Sequence, residues 1–128
     1  MTSLLRPQPD SGPRSLRLTP PENLKVEART LGTKLSFDVP VSNISRSGML
    51  LEWSNKKYTL PFIENTLVEI ELTTTLRGEP RNINILGKVT RKFGENSASQ
   101  YGIKLIHSGE QDHFEWINII TNLEKTLL

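Results

Sequence analysis

The chain has 128 residues, 35% of them hydrophobic and 23% charged, with a formal net charge of +2 and no cysteine. A domain of this length buries roughly two-thirds of the surface its unfolded chain exposes, while the lack of cysteine excludes disulfides, thiolate metal sites and cysteine nucleophiles. So small a charge excess does not by itself imply nucleic-acid binding. Its distribution is uneven: Arg6, Arg14, Arg17, Lys25, Arg29 and Lys34 outnumber Asp10, Glu22 and Glu27 near the start, whereas Glu110, Asp112, Glu115 and Glu124 face Lys125 alone near the end.

Residues 1–13 contain Pro7, Pro9, Ser11, Gly12 and Pro13 and almost nothing apolar after Leu5. Such a composition cannot bury enough surface to order itself, so it reads as a flexible leader before a domain over 14–128. Met1 to Pro7 carries no basic segment ahead of a long apolar run, and no stretch approaches the length of a membrane span. The expectation is a cytoplasmic protein without membrane insertion.

After Pro20-Pro21 the pattern has period two. Leu24, Val26 and Ala28 alternate with Lys25, Glu27 and Arg29, and Leu35, Phe37, Val39 and Val41 with Lys34, Ser36, Asp38 and Pro40. This predicts two half-buried strands joined by a turn at Leu31-Gly32, with Pro40 near a strand end, where a missing donor matters least. Asn43-Ile44-Ser45-Arg46-Ser47-Gly48 follows as a polar turn. Met49 to Trp53 reads as the next strand, Lys57 to Leu60 as a short polar connection or hairpin, and Val68, Ile70 and Leu72 as the inward set of a strand whose Glu69 and Glu71 are solvated. Beyond the loop Arg77 to Pro80, Ile83, Ile85 and Val89 share a face of a long strand, in which Gly87 marks a bend or bulge. Tyr101, Ile103 and Leu105 define the last strand, after a polar loop from Gly94 to Ser99.

The period then changes. Ser108 and Gln111 stand as in a capping box, Glu110 and Asp112 suit a helix N-terminus, and Phe114, Ile117, Ile120, Leu123 and Leu127 recur at helical spacing, with Trp116 and Ile119 widening the stripe. The expected architecture is all-β with one helix, a small antiparallel six-stranded β-barrel covered by a C-terminal α-helix.

The Asn43 to Gly48 segment offers a short amide, a hydroxyl and a glycine that lets backbone N–H groups approach an anion. Upstream, Arg14 and Arg17 offer planar donor forks suited to phosphate oxygens or to the O6/N7 edge of guanine. In order and spacing, this arrangement resembles the PilZ domain family, whose pattern is Arg-x-x-x-Arg followed by Asp/Asn-x-Ser-x-x-Gly. The second half is matched by Asn43, Ser45 and Gly48; the first is represented by Arg14 and Arg17, three apart instead of four. The likeness continues through Gly48 to Glu52, Gly87 to Val89 and Gln100 to Leu105.

That resemblance implies a cyclic di-GMP receptor in which Arg14 and Arg17 hold the nucleotide, Asn43 and Ser45 contact it and Gly48 shapes the turn. Arg46 lies outside the motif; from this turn it can supplement the pair or stand solvated at the surface. It further implies relay of the second-messenger level to an unidentified protein partner. A degenerate PilZ-like adaptor that acts by protein–protein contact without nucleotide is the alternative. His107 and His113 straddle the predicted helix start on different faces with no carboxylate pattern around them, so no metal site is expected. Ser45 has no neighbouring base and no nucleophile elbow, so no enzyme is expected. The few aromatic residues lie mostly on apolar faces and are not interleaved with basic ones, which argues against nucleic acid as a partner.

Overall fold

The computed structural model describes residues 17–126 apart from 56, 77, 96 and 97. The leader at 1–13, Arg14 and Leu127 therefore lie outside the described residues. Seven strands form one antiparallel sheet: β1 (Lys25–Thr30), β2 (Phe37–Asp38), β3 (Val41–Ser45), β4 (Gly48–Ser54), β5 (Leu67–Leu76), β6 (Glu79–Glu95) and β7 (Ala98–Ser108), followed by α1 (Glu110–Lys125). Their lateral order is β2-β1-β5-β6-β7-β4-β3.

That order forces the sheet to curl. The two edge strands β2 and β3 are consecutive in the chain and separated only by Val39 and Pro40, a span of about 10 Å at most, so the opposite edges must come together. Val39 N–H donates to Val26 O on one side and Glu52 N–H to Pro40 O on the other. Phe37 meets Trp53 edge-on across the gap at 6.0 Å between ring centroids. The result is a half-barrel, with the inward residues of every long strand filling it and Trp116, Ile119 and Ile120 of α1 joining the same core.

Three expectations need correction. The strand predicted from Leu35 to Val41 is broken at Val39-Pro40, because the chain there changes from one sheet edge to the other; Leu35 is 67% exposed, and the described residues form seven strands where six were expected. The capping box does not form: Gly109 is the N-cap of α1 and no side chain caps it. On the helix, Phe114 is 60% exposed while Glu115 takes the buried place, held by Gln111 Nε2 at 3.1 Å and facing Arg81 at 3.5 Å.

Gly87 does sit at a register shift, between Leu86 and Gly87 in the β6–β7 ladder. A Cβ there would lie 2.6 Å from the Ile103 side chain, so the bulge and the close approach both select glycine. Among the described residues no helix is long and apolar enough to cross a membrane.

Candidate functional site

The segment read as a turn is mostly strand. Asn43, Ile44 and Ser45 end β3, Arg46 and Ser47 make a two-residue hairpin, and Gly48 opens β4 opposite Ser45. Ile44 is fully buried against the core, and pleating turns its neighbours Asn43 and Ser45 to the outward face. Ser45 Oγ is 3.5 Å from both Ser47 Oγ and Gly48 O, longer than the roughly 2.5–3.0 Å of a firm hydroxyl hydrogen bond. Among the described residues no firm hydrogen bond holds its hydroxyl.

Gly48 is needed for a reason that turn chemistry does not supply. A Cβ at this position would lie 2.0 Å from the Ile103 carbonyl oxygen, because β7 runs hard against the start of β4. The glycine permits strand approach and does not rely on a left-handed backbone.

Arg17 reaches the site through its neighbour. Leu18 is buried, and it forms a reciprocal antiparallel bridge with Ile44: Leu18 N–H donates to Ile44 O at 2.7 Å and Ile44 N–H to Leu18 O at 3.0 Å. With Leu18 and Ile44 both turned inward, the pairing carries Arg17 onto the outward side beside Ser45. Arg17, Asn43, Ser45 and Gly48 therefore share one face at the β3 edge, and Arg14 lies outside the described residues.

Arg46 points elsewhere. Its guanidinium grips Glu124 of α1 through both donors, Nε to Oε2 at 3.1 Å and Nη2 to Oε1 at 2.6 Å, and this pairing raises its pKa above the ordinary arginine value. Its carbonyl accepts from Trp116 Nε1 at 3.2 Å. The helix is thus latched to the hairpin tip through Trp116, which sequence reasoning assigned only to the apolar stripe, and Glu124, which it counted only among the acids near the end. The pairs lie 70 and 78 positions apart in the chain, a separation that no local pattern encodes.

Clefts of about 400 Å³ beside Arg29, Glu69 and His107, and of about 890 Å³ beside Trp53 and Phe93, lie away from Asn43, Ser45 and Gly48.

No family model matches the chain, and no curated protein matches it in sequence. Solved structures do match in fold. The Bacillus subtilis inhibitor of motility MotI/DgrA superposes with a TM-score of 0.69 at 13% identity over 88% of this chain, which spans only 52% of that protein. The PilZ domain of Escherichia coli YcgR with c-di-GMP gives 0.59 at 14% identity over 89% of this chain and 92% of that one. The PilZ domain of CeSA from a cellulose-synthesizing bacterium gives 0.56 at 18% identity, covering 86% and 99%. The chain has the fold of a PilZ domain.

Proposed function

We propose that this chain is a cyclic di-GMP receptor domain that holds the nucleotide on the outward face between Arg17 and the Asn43 to Gly48 hairpin. The observation that carries the reading is the Leu18–Ile44 bridge, which puts an exposed arginine on the same side as Asn43 and Ser45. It is supported by the fold shared with YcgR and by the Klebsiella MrkH structure, a complex with c-di-GMP that matches at a TM-score of 0.67 and 16% identity.

In this reading Arg14 and Arg17 take the anionic phosphates bidentately and stack on guanine, through a planar fork that lysine lacks. Asn43 and Ser45 supply the amide and hydroxyl, and Gly48 keeps the strands close enough to present them. Several charge-assisted hydrogen bonds, at about 1.5–3 kcal/mol each before ordering costs, suffice for a dissociation constant of about 1 μM. The domain works in the cytoplasm, catalyses nothing, and passes the bound state to a protein partner.

A nucleotide-free adaptor is the second reading, favoured by the engagement of Arg46 with Glu124. Titration calorimetry separates the two. Heat of binding with cyclic di-GMP, lost or reduced at least about tenfold in affinity by Arg17→Ala and by Ser45→Ala, is the expected result; no heat at high micromolar nucleotide leaves the adaptor.

A further inference from the structure

The sheet carries more positive charge next to this face than the motif accounts for. Register pairs Gly48 with Lys104 across β4–β7 and Lys104 with Lys88 across β6–β7, while Leu50 pairs with Gly102 and Gly102 with Arg91. Met49, Leu51, Val89, Tyr101 and Ile103, the intervening residues, are all buried. By pleating, therefore, Lys104, Lys88 and Arg91 stand on the same outward side as Asn43, Ser45 and Gly48.

Lys88 and Lys104 are directly opposed, an arrangement that places two like charges within side-chain reach and destabilises a ladder. Among the described residues none of these three cations is in an ion pair. Gly102 carries no side chain between Leu50 and Arg91 in the row beside them: a Cβ there would sit 3.5 Å from Thr90 Oγ1 and 3.7 Å from Arg91 Cβ, clear of any clash. Glu52 shares the face, one row beyond Leu50 and opposite Gln100, and Glu69, already bound by Arg29, lies one row from Lys88 on β5. An unneutralised basic strip around a glycine floor accommodates a phosphodiester.

We infer that Lys104, Lys88 and Arg91 form an anion-binding strip continuous with the Arg17–Asn43–Ser45 face, and that it takes one phosphate of the cyclic dinucleotide. Naming that nucleotide as the source of the anion rests on the function proposed above. The strip supplies countercharge that the irregular arginine pair and the Glu124-bound Arg46 leave short.

The test uses the whole chain and compares Lys104→Gln and Arg91→Gln with Lys34→Gln, a control of equal charge loss on the β1–β2 connection. Calorimetry with cyclic di-GMP is expected to show about tenfold weaker binding for the strip variants, with smaller salt dependence, and no change for the control. Should Arg17→Ala weaken binding while both strip variants stay within about twofold of wild type, the strip is overturned and the receptor reading stands. If wild type binds no cyclic di-GMP, the receptor reading falls and inorganic pyrophosphate judges the strip by amide NMR. Shifts at 88, 91 and 102–104 that vanish in Lys104→Gln retain it as an anion site, and the absence of shifts there removes it.

Discussion

Gly48 answers to packing as well as to any ligand. With the Ile103 carbonyl 2.0 Å from where a Cβ would stand, Gly48→Ala must push β7 from β4, and the loss of stability should be about 1–3 kcal/mol. Thermal melting checks this without nucleotide, and an unchanged midpoint would contradict the close approach. Glu69 sets a second residue-level expectation. Arg29 Nη2 donates to it at 2.8 Å and the Gly32 amide assists, which together hold its carboxyl below the ordinary glutamate range. A depressed folded pKa stabilises at pH above the unfolded value and is lost as pH falls through the folded one. Arg29, raised by the same contact, is charged throughout that window and adds no slope. Glu69→Gln should therefore flatten the acid limb of melting temperature against pH and leave the neutral region parallel to wild type.

Among the elements, the N-terminal segment and α1 both converge on the β3–β4 hairpin. Leu18→Ala removes the side chain that anchors the segment in the core. At about 2 kcal/mol, the low end for a buried leucine, the bridge should open, and hydrogen exchange at the Ile44 amide should speed relative to neighbouring β3 amides. Trp116→Ala should cost about 3–5 kcal/mol, because it empties core and strands the Arg46 carbonyl together. The strands were legible because period-two alternation marks burial directly: Val68, Ile70 and Leu72 and then Tyr101 and Ile103 fall inward as read. Register was not, since nothing in the order of residues states that Lys88 faces Lys104 or that Arg46 meets Glu124. The predicted capping box failed because Gly109, between Ser108 and the helix, starts the turn instead. Asn43 and Ser45, on the outward face of a strand, look like turn residues in the sequence because short polar residues serve in both settings.

For the whole molecule, the curl and the site have one cause. Bringing β2 and β3 together closes the half-barrel around its core, and it leaves the outer side of β3, β4, β7 and β6 as a continuous surface that starts at Arg17 and ends at Lys88 and Arg91. The C-terminal helix joins the core and touches the same hairpin through Trp116 and the Arg46 carbonyl. A crystal structure of the chain grown with cyclic di-GMP examines this arrangement most directly. The account predicts the nucleotide seated on the outer face, with Arg17 on phosphate or guanine and Asn43 and Ser45 in contact. Density for the nucleotide in the cleft beside Trp53 and Phe93, or a bare outer face at saturating ligand, would contradict it.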